Sequence, residues 1–517
     1  MAKPRIEPPY HPIIFVPGYA ATEAIVRETA ATPYMGFNEG ATKIRQRWTG
    51  DPVRHVFESP LVRLMKEYGY LDAYRHGAEV APGTGASVPA RSIFVYRFHD
   101  EVEATGERRE IEEYAGGLGD TILTIRDLVC GDDAAARQAF RVHLVAHSMG
   151  GLICRTLLQN PHVASEEARD LVEKVFTYGT PHNGIDLALV GNVPGFFSFN
   201  NADNFNRGRM AEYLDLPADP PRVDMLNDRF DPGRFFCLVG TDDRDYQGAA
   251  GLARRLVGPM SDGLVRITNA VVEGSPRAFV HRSHSGHFGM VNSEEGYQNL
   301  VRFLFGDCRI DGVLKVSSLS LPPAVQRALD GGRAVRASYH FESVVRTRGA
   351  TWDLHRRTVG ESSAIFRTYD DLFPTTGGEV RHPYLFSIFL SAACRVKMRR
   401  TSLGFSVDLG ILVPEYEVDG TPRMDDHHDG AYLYRDKINI EVTLRHGWSL
   451  RYGFDSKSPN RAPRALARPV AQMGDTVAFA IPIRQGTRPG IEAELELHLR
   501  HCNAPSTGPG GENECAG

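Results

Sequence analysis

The first 306 residues alternate short apolar runs with segments of helical periodicity. Runs such as IIFV, VHLVA and FFCLV are continuous and bounded by Gly or Pro, which is typical of strands buried on both faces of a parallel sheet. We predict strands at 12–16, 92–98, 142–146, 175–178, 235–239 and 278–281. Helices are predicted at 120–129, 149–158 and 294–305. This alternation predicts an α/β fold, a mostly parallel sheet with helices on both faces.

Two long stretches interrupt the alternation. Residues 22–88 and 184–233 are rich in Gly, Pro and Asn. Long insertions in a compact domain are usually functional. We therefore expect them to form a cap or lid above the sheet.

The hydrophobic period changes to two after residue 307. Apolar residues alternate with polar or small ones at 403–409, 438–444, 477–483 and 491–499. Half-buried strands of an antiparallel sheet have this pattern. We predict an α/β domain at 1–306, an antiparallel β-sandwich-like accessory domain at 307–503 and a disordered tail at 504–517.

Composition narrows the class of protein. The 517 residues exceed what one hydrophobic core organises, and the net charge of −5 argues against nucleic-acid binding. No apolar run approaches the roughly 18 residues of a spanning helix, and the N-terminus lacks a signal-peptide cleavage site. Seven scattered cysteines without a CxxC spacing suggest neither a zinc site nor a disulfide framework. We expect a cytoplasmic protein, or one exported without a recognisable signal.

The strongest chemical signal is Val142-His-Leu-Val-Ala-His-Ser148-Met-Gly-Gly. A buried strand runs through Ser148 directly into an apolar helix, with Ala146 and Gly150 two residues to either side. A nucleophile elbow needs this arrangement, because only small neighbours leave room for a strained strand-to-helix turn. The N–H of Met149, at the helix N-terminus, would face a developing oxyanion.

This stretch resembles the elbow of bacterial lipases and esterases of the α/β-hydrolase superfamily, in the subgroup with Ala-x-Ser-x-Gly. The branches similar to lecithin–cholesterol acyltransferase and to glycosylphosphatidylinositol-inositol deacylase also look alike. The resemblance covers about residues 10–306 through four further motifs. They are His11-Pro-Ile-Ile-Phe-Val-Pro-Gly-Tyr19, Phe176-Thr-Tyr-Gly-Thr-Pro-His182, Met260-Ser-Asp262-Gly-Leu-Val-Arg-Ile and His284-Ser-Gly-His287.

The resemblance implies a catalytic triad and an oxyanion hole. Ser148 would be the nucleophile, Asp262 the acid and His287 the base, with the Tyr19 N–H as a second oxyanion donor beside that of Met149. His287 is preferred to His284 because a Gly precedes it and an apolar stretch follows it. His182 lies too early for the order Ser, acid, His, so it is interpreted as structural or adjacent to substrate.

Several alternatives stay open. Asp242, Asp243 and Asp245 follow the strand at 235–239, where many such enzymes carry the acid, and they compete with Asp262. Residues 244–260 are interpreted as an inserted helix that delays the acid along the chain. The cluster Asp425-Asp-His-His-Asp429 could hold a metal, but a solvated hairpin loop is favoured.

We expect a serine carboxylic ester hydrolase, of the lipase or esterase kind, acting on an apolar acyl ester or lipid without a cofactor or metal. The rivals are an acyltransferase, amidase or thioesterase with the same triad, or a binding protein with a vestigial hydrolase domain. The expected partner is a small-molecule or lipid ester, and the β-rich domain would contact an interface or a protein partner.

Overall fold

The computed structural model describes residues 6–18, 34–46, 49–75, 78–79, 88–100, 109–185, 202–218, 220–244, 259–286, 288–374, 378–395, 401–421, 424–443, 447–459 and 462–503. Two compact units divide the chain, one with residues up to 277 and 282–305, the other with 278–281 and residues from 306 onward. The predicted tail at 504–517 and part of each predicted insertion lie outside the described residues.

The first 305 residues contain the predicted alternation of strands and helices. The strands are β1 Ile13–Val16, β2 Ala41–Gln46, β3 Pro52–Phe57, β4 Leu71–Asp72, β5 Tyr74–Arg75, β6 Ala78–Glu79, β7 Ser92–Val95, β8 Val142–His147, β9 Val172–Tyr178, β10 Phe235–Gly240 and β11 Arg277–Val280. The helices are α1 Pro60–Tyr68, α2 Ile111–Cys130, α3 Ala134–Ala139, α4 Met149–Gln159, α5 Glu166–Asp170, α6 Arg207–Tyr213 and α7 Glu294–Phe305. Short 3₁₀ turns occur at Ala202–Phe205 and Pro232–Arg234.

One seven-stranded sheet organises this part, in the order β11-β10-β9-β8-β1-β7-β4. Neighbouring strands from β4 to β10 are parallel. Successive residues of β9 point to opposite faces: Val175 joins the core that includes α2 and α4, whereas Phe176 packs against Phe303 of α7. Helices therefore cover both faces, and the predicted fold class is confirmed.

Helix α2 begins nine residues earlier than predicted and contains Gly116-Gly-Leu-Gly119 within it. A Cβ at Gly117 would lie 2.5 Å from the Tyr96 hydroxyl, and one at Gly119 would lie 3.0 Å from Ala164 Cβ. These glycines allow close packing, which is why the helix continues through residues of low helical propensity.

The second unit is built from antiparallel strands, as the period-two pattern predicted. They are β12 Cys308–Ser320, β13 Val335–Thr347, β14 His355–Arg357, β15 Ile365–Thr368, β16 Tyr384–Leu390, β17 Ser402–Thr421, β18 Met424–Thr443, β19 Ser449–Phe454, β20 Ala465–Leu466, β21 Arg468–Met473, β22 Thr476–Gln485 and β23 Gly490–His501. Two short helices are α8 Pro323–Asp330 and α9 Tyr369–Leu372.

These strands form two sheets around one apolar core. The five-stranded sheet has the order β16-β12-β23-β22-β21, and the seven-stranded one joins β14-β13-β17-β18-β19-β20 with β15 on β13. The core takes alternate residues from both, such as Val407 of β17 and Leu497 of β23, each 0% exposed. A β-rich accessory domain is thus confirmed.

No helix among the described residues is long and apolar enough to cross a bilayer.

A pair of buried imidazoles at the start of β1 and β8 predicts acid sensitivity. The His11 ring lies edge-on to that of His143, with centroids 5.3 Å apart. Burial, with the positive charges of Arg141 and Lys174, lowers the pKa of His11 from 6.5 to about 4. The unfolded chain therefore binds more protons than the folded chain between these pH values, and stability falls as the pH falls through them.

We expect the free energy of unfolding to fall by up to about 3 kcal/mol through His11 between pH 6.5 and pH 4. Urea unfolding at a series of pH values measures this slope. In His11→Phe, which cannot titrate, the slope should be smaller, whereas an unchanged slope would contradict the assignment. His162 is exposed, so the substitution His162→Phe serves as the control.

Candidate active site

Ser148 is the single residue between β8 and α4. Its backbone has φ 52° and ψ −123°, in a region that residues other than glycine rarely adopt. Gly150 makes the turn feasible, because a Cβ there would lie 2.4 Å from the Val16 carbonyl oxygen and 2.6 Å from that of Pro17. Ser148 therefore occupies a strained turn pressed against the end of β1, as an elbow requires.

The first turn of α4 gives the site a fixed electrostatic element. Met149 begins the helix, so its N–H is among those without a partner inside the helix, at the positive end of the helix dipole. Tyr19, the other predicted oxyanion donor, lies outside the described residues. Gly18, immediately before it, is described, and a Cβ there would lie 3.0 Å from Ser148 Cβ.

His284 is the imidazole that faces the serine. Its Nε2 lies 3.0 Å from Ser148 Oγ, and its Nδ1 lies 2.8 Å from Asp262 Oδ2. His284 and Asp262 are 3% and 1% exposed, so water is largely excluded from this chain of hydrogen bonds. Among the described residues, His284 is thus the histidine within hydrogen-bond distance of Ser148; His287, the predicted base, lies outside the described residues.

The loop that carries His284 is closed by its own backbone. The Ser283 N–H donates to the Phe288 carbonyl and the Met290 N–H donates back to the Ser283 carbonyl. Arg282 pairs with Glu295 of α7, with 2.8 Å between Nη2 and Oε2, and both side chains are buried. These bonds hold the loop so that His284 faces Ser148.

Asp262 lies in a tight turn that holds its carboxylate at both oxygens. Oδ1 accepts the N–H groups of Leu264, at 3.0 Å, and Val265, at 2.7 Å, while Oδ2 faces His284. The Asp262 backbone carbonyl also accepts the His284 N–H at 2.9 Å. Acid and histidine are thus joined twice, which fixes the imidazole orientation.

Two of the competing carboxylates, those of Asp242 and Asp243, lie directly after β10. Asp242 is buried, and its Oδ1 accepts the Arg244 N–H at 2.9 Å. Asp243 is only partly buried, and Asp245 lies outside the described residues, as do 245–258 of the predicted inserted helix. Asp262 nevertheless reaches the same end of the sheet, because a Cβ at Gly240, the last residue of β10, would lie 2.8 Å from Asp262 Cβ.

His182 is an interior residue. It is 0% exposed, its Nε2 lies 3.1 Å from Thr177 Oγ1, and burial holds its pKa well below the ordinary value. Its neighbour Thr180 donates from Oγ1 to the Ser148 carbonyl at 2.8 Å. The Gly-Thr-Pro-His segment therefore supports the turn at Ser148 through the bond from Thr180.

Two residues near the site were missed by sequence reasoning. Arg155 of α4 is 0% exposed and donates to the carbonyls of His182, Val223 and Met225 at 2.7–2.8 Å. No carboxylate of the described residues is recorded at hydrogen-bond distance, and burial lowers the pKa of Arg155 to about 10. A charged residue inside an apolar helix was the available signal, since such a residue is rarely buried without partners.

His147 is the second missed residue. Its Nε2 donates to the His284 carbonyl at 3.0 Å, which ties the end of β8 to the histidine loop. Loss of hydration, with the charge that His284 acquires on protonation, lowers the pKa of His147 to about 3. The His147 imidazole is therefore neutral at neutral pH and adds no competing charge beside His284.

The acidic and histidine-rich cluster at 425–429 is not in a loop, contrary to the favoured interpretation. It belongs to β18, whose first residue, Met424, pairs with Thr421 of β17. Within the ranges that the structure describes, no group of three or more His, Cys, Asp and Glu side chains is placed to hold a metal ion. For Asp425, Asp426 and His427 the structure describes the backbone but not the side chains.

Comparison with known proteins bears on the first unit. Residues 8–207, less than half of the chain, match the family described as PGAP1-like alpha/beta domain. No curated protein matches the chain.

Two similar solved structures have low scores. A candidate cell surface hydrolase from Lactobacillus plantarum WCFS1 is 12% identical over 58% of this chain and 91% of its own, with a TM-score of 0.22. A chain of the Tle4–Tli4 complex is 14% identical over 39% of this chain and 52% of its own, with a TM-score of 0.19. Both scores are too low to be used as support.

The family match supports a hydrolase-like α/β domain. The parallel sheet and the strand–Ser148–helix turn have the architecture of such a domain. The first unit is therefore a hydrolase-type α/β domain, and its residues 8–207 are similar to the PGAP1-like alpha/beta domain family.

Proposed function

We propose that the protein is a serine carboxylic ester hydrolase that works through an acyl-enzyme on esters with an apolar acyl group. The observation that carries the proposal is the continuous chain Ser148 Oγ, His284 Nε2, His284 Nδ1 and Asp262 Oδ2, with separations of 3.0 and 2.8 Å between side chains. Both distances suit proton transfer and orientation by hydrogen bonds.

Acylation follows from this geometry. Ser148 Oγ attacks the ester carbonyl carbon while its proton moves to His284 Nε2, because a neutral imidazole is the base that a high-pKa hydroxyl needs. The carbonyl oxygen becomes an oxyanion, stabilised by the N–H groups of Met149 and, by the sequence resemblance, Tyr19. His284 then gives its proton to the departing alkoxide, and the alcohol leaves.

Deacylation repeats these steps with water. His284 takes a proton from water as its oxygen attacks the acyl carbon, and returns it to Ser148 Oγ as the carboxylic acid departs. Throughout, the Asp262 carboxylate stabilises the imidazolium. Its own charge is held by the Leu264 and Val265 N–H groups, which are charge-assisted donors in a buried site.

The choice of acyl group rests on the resemblance to lipases and on the long insertions predicted at 22–88 and 184–233, so it has a separate test. Activity on p-nitrophenyl esters should rise as the acyl chain lengthens from two carbons to eight or more. A preference for the acetyl ester would contradict the apolar acyl group. If added alcohol diverts most product into a new ester, the enzyme is an acyltransferase.

Ser148→Ala and His284→Ala should each lower kcat by about 10³-fold or more, because the nucleophile and its base act as a unit. Labelling by a fluorophosphonate probe should disappear in Ser148→Ala. Turnover of a soluble ester measures the first effect and gel fluorescence the second. If His287→Ala loses turnover while His284→Ala keeps it, the assignment of the base is wrong.

Asp262→Asn should preserve the fold and lower kcat by up to about 10⁴-fold, since the imidazole is then held in the wrong tautomer. Asp243→Asn is the matched control, with the same change in charge at a partly buried position after β10, and should stay near the wild-type kcat. The opposite ranking in steady-state kinetics would assign the acid to the turn after β10. Circular dichroism of both variants checks the fold.

A further inference from the structure

His99 lies beside the carbonyl of Gly18, the residue that precedes the predicted oxyanion donor Tyr19. It is 2% exposed, packs against the ring of Phe98 and places its Nε2 2.8 Å from the Gly18 carbonyl oxygen. A carbonyl oxygen can only accept a hydrogen bond, so Nε2 carries the hydrogen in this pair. The imidazole thus holds one specific oxygen of the chain.

Gly18 also lies close to Ser148. A Cβ built on Gly18 would lie 3.0 Å from Ser148 Cβ and 2.9 Å from His147 Nδ1. The absence of a side chain lets the chain pass directly beside the serine. Gly18 is therefore near both the His99 ring, which bonds its carbonyl oxygen, and Ser148.

The carbonyl of Gly18 and the N–H of residue 19 belong to one rigid peptide unit. In a trans peptide, which is nearly universal before residues other than proline, these two groups point in opposite directions. A donor that fixes the carbonyl therefore also fixes the direction of the N–H. The bond from His99 restrains rotation of the Gly18 carbonyl and, through the planar peptide, the direction of the N–H that follows it.

We propose that His99 is a positioning residue for oxyanion stabilisation, which acts by orienting the Gly18–Tyr19 peptide through the Gly18 carbonyl. The inference rests on the proposed ester hydrolysis at Ser148. His99 does not touch the reacting atoms, and its effect is on the transition state, where the oxyanion forms, rather than on binding of the ground-state ester.

The chain offers a matched control at the opposite end of β1. His143 is 0% exposed, and its Nε2 donates to the Pro9 carbonyl at 2.9 Å. Pro9 precedes β1 and Gly18 follows it, so the two histidines make the same kind of bond to the chain on either side of this strand. Only the His99 bond adjoins the nucleophile.

The experiment compares steady-state kinetics of His99→Leu, His99→Gln and His143→Leu in the full chain, with a soluble p-nitrophenyl ester and thermal melting of each variant. His99→Leu should lower kcat about 10- to 100-fold with little change in KM, the scale at which loss of a supporting hydrogen bond affects a site. His99→Gln, whose amide can donate, should recover part of the loss. His143→Leu should lower the melting temperature and leave kcat near the wild-type value.

Each outcome has a distinct meaning. Full kcat in His99→Leu, or an equal loss of kcat in His143→Leu, overturns the positioning role while Ser148-dependent hydrolysis stands. A rise in KM without a fall in kcat also overturns it, because the effect would then lie in substrate binding. A wild-type chain without Ser148-dependent turnover overturns both the positioning role and the proposed function. If His99→Leu does not fold, His99→Gln and its pair His143→Gln decide on the same criteria.

Discussion

The close approach of the end of β1 to the turn at Ser148 is the constraint on which the site depends. Two carbonyl oxygens, those of Val16 and Pro17, lie where a side chain on residue 150 would be, so only glycine fits. This contact holds Ser148 at a positive φ that costs about 1–3 kcal/mol. The stability of the parallel sheet offsets this cost, because β1 and β8 are adjacent and buried.

Close approach of the backbone also makes room for the Asp262 side chain. Asp262 follows the end of β10 by 22 residues in the chain, but Gly240 and Gly179 leave room for its side chain. A Cβ on Gly179 would lie 2.9 Å from Asp262 Oδ2 and 3.1 Å from His284 Nδ1. The glycines at the ends of β9 and β10 therefore form the space in which the carboxylate and imidazole meet.

The sequence was sufficient for what depends on local pattern and insufficient for what depends on tertiary contacts. Buried runs and period-two alternation predicted both kinds of sheet, and the elbow identified Ser148, because strand, small residues and helix are adjacent in the chain. The approach of His284 to Ser148 depends on tertiary contacts such as the backbone bond from His284 to Asp262, which joins residues 22 apart. The strand at 425–429 was missed because its pairing with β17 overrides the low β-propensity of Asp.

The remaining support for the site comes from side chains that bond to backbone carbonyls. Arg155 holds the His182 carbonyl, Thr180 that of Ser148, His147 that of His284 and His99 that of Gly18. A carbonyl has the same chemistry whichever side chain its residue carries, so no residue pattern reveals which one will be an acceptor. Each bond satisfies a buried polar group and at the same time fixes a peptide beside the serine. In this domain, therefore, the side chains that position the site are those that satisfy buried carbonyl groups. They are identified from the structure rather than from the sequence.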